Sequence, residues 1–452
     1  MNSSLQTTLP EVNGQGFGSN SSSMKPMKLS ELCRGPAALF AAPRMQRPSA
    51  EAPAFVEAST LSRPAAKTHI DSVSSPGFVR SHGSGMSMTD ADTPAIAEAL
   101  ERYCASIYRT ENLVTARAAD LGGECIDLDT VPTVSEREMA QANCPIKKTS
   151  KREAIRWVRG VSLTEMRPTL IPAIMVYSGL SSLLPGERFW LPISTGCAAH
   201  PDRDYAIRAA IFEVAERDAI SLLWHQQLPL PQIEIDQADK ILAAHMELYQ
   251  RASAYVEMRF YDATTDVGVP IVFGVRLASE STSAHTVVSC AAAPTLSEAI
   301  AKAMRDLVSV SPAFERPSEV PNSLNEFKHM MHGATYMARR ENAPAFDFLL
   351  QQNDTVRLSE IDKVRSGGWS MPEILASFQS KGISIYAVDL TTDEARRVGM
   401  KVLRVVIPAL QPLSFCYTAQ YKGHPRLYEA PSLMGYTVRD EQNLNKWPQP
   451  FA

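Results

Sequence analysis

The 452-residue sequence has no long apolar run, no excess of basic residues and no paired-cysteine motif, and each absence removes a class of function. Its most apolar stretch, LIPAIMVYSGLSSLL (170–184), is too short and too interrupted to span a bilayer, so no membrane role is expected. Lys and Arg number 45 against 49 Asp and Glu, a net charge of -4, which leaves no electrostatic footprint for nucleic acid. The seven cysteines are scattered, odd in number and without a C-x-x-C pair. Reduced thiols in a cytoplasmic protein are therefore expected, not a disulfide framework or a zinc site. The start, MNSSLQTTLPEVNGQ, lacks the basic and apolar regions of a secretory signal. No G-x-x-x-x-G-K-[ST] occurs either, which argues against a Walker-type ATPase.

What the chain does have is apolar residue enough, 44% hydrophobic against 21% charged, to bury a core over most of its length. Residues 1–80 are the exception. Rich in Ser, Pro, Ala and Gly and without sustained periodicity, they are expected to form a largely disordered N-terminal extension. Within them MKLSELCRGPAALFAA (27–42) could make a short helix on a partner, though a mobile tail is the simpler expectation. From about Gly83 the pattern changes. A helix is predicted from Pro94 to Arg109, because proline suits a first helical position, and further helices over 204–225 and 296–310. Strands are predicted at 255–263, 269–277, 285–293, 383–390 and 401–410, runs rich in Val, Ile and aromatics bounded by Gly, Pro or Asp. Residues 81–452 therefore read as one mixed α/β body, its helices packed on antiparallel or mixed sheets. The more polar segment 310–370 reads as an insertion or lid, and its His329 and His332, one turn apart, as polar surface in preference to a metal site.

The most informative stretch is YAIRAAIFEVAERDAISLLW (205–224), apolar almost all round yet carrying Glu213, Glu216, Arg217 and Asp218. Three- and four-residue spacings put Glu213, Glu216 and Arg217 on one narrow side. Alone, that is a surface helix showing water one stripe, with an ordinary i,i+4 ion pair. The reading shifts because AIAEALERYCA (95–105) repeats the pattern with Glu98, Glu101 and Arg102, again E-x-x-E-R on an apolar helix. Two copies suggest that two carboxylate pairs and two arginines converge. Carboxylates bind Mg2+ through oxygen, and Mg2+ in turn carries nucleotide phosphates. Arginine forks neutralise phosphate oxygens and the charge that develops in phosphoryl transfer. Glycine turns ahead of each helix, GSG (83–85) around Ser84 and STGCAA (194–199) beginning at Ser194, would add backbone N–H donors.

These blocks are followed in order by SEAIAKAMRDL (297–307), ISIYAVDLTTDEARRVGMKVLRVVIPALQPL (383–413) and the ending KWPQPFA (446–452). So ordered, residues 80–452 resemble the YcaO family, and more narrowly the D-type cyclodehydratases of azole-modified peptides, the microcin and streptolysin class. The resemblance implies a mixed α/β fold in which ATP and Mg2+ occupy a site without a P-loop. Carried over by motif, Glu98, Glu101, Arg102, Glu213, Glu216 and Arg217 would bind nucleotide, with Ser84 and Ser194 beside them. The four glutamates and Asp306 would hold metal.

The family reaction converts Cys, Ser or Thr of a ribosomally made precursor peptide into thiazoline or oxazoline. The side chain attacks the preceding backbone carbonyl, ATP phosphorylates the resulting oxygen, and loss of phosphate closes the dehydrated ring. Azoline-forming members end in a P-x-P-x-P tail. Here Pro448 and Pro450 match and the last position is Ala452, so the 445–452 tail would present its terminal carboxylate as a base. The resemblance also implies a separate leader-binding E1-like partner, since no such domain is read before residue 80. An FMN-dependent azoline dehydrogenase would complete a cytoplasmic synthetase making a bacteriocin-like product, and a homodimer is compatible with it.

Six positions depart from the family pattern. Ser84 replaces a common lysine and Pro94 a common serine, and Pro201 and Tyr205 replace an Asn and a Glu. The third helix reads Asp306-Leu-Val-Ser309 in place of E-x-x-Q. These changes bear on metal stoichiometry and nucleotide affinity. Two other readings stay open: thioamide or amidine formation, against which the PQPFA ending argues, and a catalytically weakened docking scaffold, which the departures motivate.

Overall fold

The computed structural model describes residues 27–46, 56–62, 80–180, 182–250, 256–278, 284–310, 313–314, 319–364 and 369–451. Three long helices, α1 (Met88–Ser106), α2 (Arg203–Gln226) and α3 (Leu296–Ser309), alternate with two sheets. The six-stranded sheet is antiparallel throughout. It runs β4 (Val114–Arg117), β5 (Ala154–Ser162), β13 (Tyr386–Asp389), β14 (Lys401–Val406) and β7 (Cys197–His200), with β6 (Arg167–Pro172) also paired to β5. The five-stranded sheet runs β11 (Thr286–Ala292), β10 (Ile271–Ala278), β9 (Val256–Asp262), β8 (Gln232–Glu234) and β12 (Thr355–Arg357), and only its β8–β12 pair is parallel.

The question raised by the 205–224 sequence is answered by this layering. Helix α2 is apolar all round because a sheet covers each side. Ile207, Ile211, Leu222 and Trp224 join Leu403 and Val405 of one sheet and Phe273 and Val275 of the other in a single core. Side chains of a strand alternate between faces, so Val402 and Val406 point the other way and pack with Ile96 and Leu100 of α1. On the far sheet Val272 and Val287 likewise face Ile300 and Met304 of α3. Fully burying a side chain such as Leu222 stabilises the fold by about 1.5–3 kcal/mol. The surface-stripe reading of α2 does not hold, since Glu216 is 3% and Asp218 0% exposed. Asp218 belongs to a separate buried pair. It accepts from Arg426 Nε at 3.0 Å and Nη2 at 2.7 Å and from Gln411 N–H at 2.8 Å, tying α2 to α4 (Arg426–Leu433).

Predicted strands over 255–410 fall on β9, β10, β11, β13 and β14. The first helix differs from expectation. It starts at Met88, capped by the Ser87 hydroxyl accepting from Asp90 N–H at 3.3 Å, and Pro94 lies inside it. A local cap won over the proline signal; only the Asp90 carbonyl loses its usual donor. GSG is not a turn but the end of β3 (Arg80–Gly85), paired to β2 (Val56–Leu61), which pairs in turn to β1 (Arg44–Gln46). A Cβ at Gly83 would stand 2.2 Å from Ala91 O, so these glycines let the strand lie directly on α1.

Of the first 80 residues, the described ones are folded. Leu32, Cys33, Leu39 and Phe40 are buried in the α1 core, and the Phe40 ring meets Tyr103 edge-on at 6.2 Å. The apolar piece at 27–42 thus docks on its own chain. Met337, Phe346 and Leu349, from the segment read as a lid, also enter the central core. Among the described residues no helix is long and apolar enough to cross a membrane.

Candidate active site

Strand β7 is the edge of its sheet and touches both α1 and α2. Alternate N–H groups of an edge strand point away from the ladder. Here one of them, Ala199 N–H, donates to Glu101 Oε1 of α1 at 2.7 Å. In the turn that enters β7, Gly196 N–H donates to Glu213 Oε2 of α2 at 2.9 Å. The STG glycine turn therefore precedes a strand, not a helix as expected, yet it still supplies a backbone donor to the second glutamate block. Gly196 has φ +84, and a Cβ there would lie 2.4 Å from Val405 O, so only glycine fits. One turn earlier on α1, Glu98 accepts from His82 N–H of β3 at 2.7 Å and from Arg102 at 2.5 Å.

Glu98, Glu101, Arg102, Ser194, Cys197 and Glu213 line one cavity of about 190 Å³. The structure thus brings the two sequence-distant blocks to one place. Loss of water pushes the Glu101 carboxyl well above the usual carboxylate range, with Glu213 and Glu98 adding like-charge repulsion. Glu213 is raised chiefly by burial as well. Burial also drives the Cys197 thiol far up, so it is an inert neutral wall.

One turn deeper, Glu216 accepts from Arg217 Nη1 at 2.7 Å, Ala292 N–H at 2.9 Å and Lys302 Nζ at 3.1 Å. Arg217 also reaches Glu213 at 3.4 Å. Asp306 stands a turn beyond Lys302 on α3, its carboxyl raised to about 6 by burial and by Glu216. The Ser309 hydroxyl is spent on the Asp306 carbonyl at 3.2 Å. Neither Ser84, on β3, nor Asp306 lines the cavity.

Tyr205, 48% exposed, stacks on His200 with centroids 4.0 Å apart, and the Arg208 guanidinium lies 5.1 Å from its ring. Pro448, Gln449, Pro450 and Phe451 are buried, so the described part of the tail is tucked in, not frayed. The Phe451 ring meets Phe273 edge-on at 5.5 Å, and Gly333 leaves room for the Gln449 carbonyl. Phe273 faces Cys290 across β10–β11, and the Cys290 thiol feels the charges of Glu216 and Arg217. The tail therefore ends on the flank of the carboxylate cluster. Ala452 lies outside the described residues.

Sequence reasoning passed over Lys302 and Arg404. The first was visible as an i,i+4 partner of Asp306. The second, inside KVLRVV, carried no signal: it is 3% exposed and donates to Ile193 O at 2.7 Å and Met175 O at 3.1 Å.

The donor set suits Mg2+ and nucleotide phosphate: oxygen ligands on two rigid helices, flanked by guanidiniums. Among the described residues no three such side chains already share one ligating point.

A family model for YcaO cyclodehydratases, described as ATP- and Mg2+-binding, matches residues 82–411. An uncharacterized protein of Methanothermobacter thermautotrophicus is 25% identical over 394 residues, 82% of this chain and 96% of that relative. Among solved structures, a heterocyclase in complex with substrate and cofactor superposes with a TM-score of 0.70 at 22% identity, covering 87% of this chain and 53% of its own. The YcaO of Methanopyrus kandleri bound with AMPPCP and Mg2+ gives 0.57 at 18%, covering 82% and 86%. The structural matches show a shared fold, and the chain spans about half the length of the heterocyclase. The chain belongs to the YcaO family, with ATP and Mg2+ as its cofactors.

Proposed function

We propose that the chain is an azoline-forming cyclodehydratase, which turns Cys, Ser or Thr of a ribosomally made precursor peptide into thiazoline or oxazoline. The observation that carries this reading is the meeting of Glu98, Glu101 and Glu213 around one cavity beside two arginines. In that arrangement Glu98, Glu101 and Glu213 hold Mg2+, while Arg102 and Arg217 take up the negative charge of phosphate oxygens. When bound, ATP and Mg2+ make the peptide's amide oxygen a good leaving group. The Ala199 and Gly196 N–H groups fix the glutamate rotamers, so little reorganisation is left for the reaction itself.

The azoline subtype rests on the tail. Pro448 and Pro450 fix its course, and the buried Phe451 anchors it beside β10. In this reading leader recognition falls to a partner protein, and oxidation to azoles falls to a flavin enzyme.

The test is the mass of a precursor peptide after incubation with the full chain, ATP, Mg2+ and a leader-binding partner. Loss of one water per ring supports the reading; ATP hydrolysis with unchanged peptide refutes it. A thioamide- or amidine-forming relative would instead show a mass change that depends on added sulfide or amine. A docking scaffold would leave product formation unaffected by Glu213→Gln.

A further inference from the structure

The five acidic groups assigned to metal by motif fall into two sets with different surroundings. Glu98, Glu101 and Glu213 line the cavity. Each takes one backbone N–H, and Glu101 pairs with no cation among the described residues. Counting Arg102 as their one dedicated cation, three negative charges less one positive leave a charge of -2, which a single divalent ion balances.

Glu216 and Asp306 lie outside the cavity lining and face Lys302 and Arg217. Two negative and two positive charges leave nothing for a metal to neutralise. Glu216 also already accepts from three donors. Oε1 takes the Arg217 guanidinium, and Oε2 takes both Ala292 N–H and the Lys302 ammonium. A carboxylate offers about four acceptor positions, and a hard cation at Oε2 would have to displace a backbone donor or stand against two fixed cations. The arrangement is anchored from three elements: α2 supplies Glu216 and Arg217, β11 the Ala292 N–H, and α3 Lys302.

Resting on the nucleotide-site reading above, we infer that Lys302 is a built-in counter-ion that takes the place of a divalent ion at Glu216 and Asp306. The chain therefore binds one divalent ion fewer than its five acidic site residues would support. Metal is confined to Glu98, Glu101 and Glu213, and Glu216 serves to position Arg217.

The measurement is Mn2+ bound per full-length chain, read by EPR of free ion during titration at saturating AMPPCP. Lys302→Met, which leaves Glu216 and Asp306 short of a positive charge, is expected to bind one ion more than wild type, and Lys302→Arg the same number. Glu216→Gln is expected to keep the wild-type stoichiometry, and Glu101→Gln to lose one ion. An unchanged count in folded Lys302→Met overturns the inference, as does the loss of an ion in Glu216→Gln. The second result decides the matter by itself if Lys302→Met does not fold. A wild-type chain that binds neither Mn2+ nor AMPPCP would instead overturn the nucleotide-site reading and this inference with it.

Discussion

Gly196→Ala tests whether the turn entering β7 is what holds the second glutamate block in place. Gly196 has φ +84, and its Cβ would sit 2.4 Å from Val405 O and 2.9 Å from Val214 Cγ2. Left-handed backbone costs an L-residue about 1–2 kcal/mol and overpacking a further 1–3, so the variant should lose about 2–5 kcal/mol of stability. Relieving the clash moves the Gly196 N–H off Glu213 Oε2 and strains the Val405 N–H bond to Gly196 O at 2.7 Å. A hydrogen bond to a charged acceptor is worth about 1.5–3 kcal/mol, so AMPPCP·Mg2+ affinity should fall by roughly ten- to a hundredfold. The control is Gly399→Ala. Its φ is +72 but nothing lies within 4 Å of the added Cβ, so it should show the backbone cost alone and bind nucleotide normally. Thermal melts with and without AMPPCP·Mg2+, and calorimetric titration of the analogue, read both effects. If Gly196→Ala melts with Gly399→Ala and keeps wild-type affinity, the turn does not position Glu213.

Arg426→Met strips a fully buried Asp218 of its partner and should cost about 3–5 kcal/mol in denaturant melts, while leaving the carboxylate cavity intact. Asp306 carries a folded pKa of about 6 against 3.8, so its proton is held more tightly in the fold. Its contribution then favours the fold below about pH 4 and is lost as pH rises through 6. The metal-free melting temperature should accordingly fall less between pH 5 and 7 in Asp306→Asn than in wild type. Phe451→Ala should abolish peptide processing before it weakens AMPPCP binding, because the ring packs on Phe273 and not in the carboxylate cavity; a parallel loss of both would count against a separate role for the tail.

The sequence by itself determined the presence of the three long helices, five of the strands and the pairing of the two E-x-x-E-R blocks. Their cause is local: the three- and four-residue spacing of Glu98, Glu101 and Arg102, and of Glu213, Glu216 and Arg217, follows from helical geometry. Strands β9 to β11 were legible for the same reason, since β-branched runs bounded by Gly and Pro report their own state. Other features depended on contacts between distant segments. Asp218 and Glu216 are neighbours in the helix and equally charged on paper. One is neutralised by Arg426, 208 residues away, and the other by Lys302, 86 residues away. The glycines of GSG looked like phosphate-loop donors but serve the close approach of β3 to α1. The apolar residues at 32–40 looked too few to order a tail until α1 offered a surface for them. Periodicity fixes which face a residue occupies. Only the packing of a second element on that face decides whether a carboxylate there meets water, a counter-ion or an open cavity.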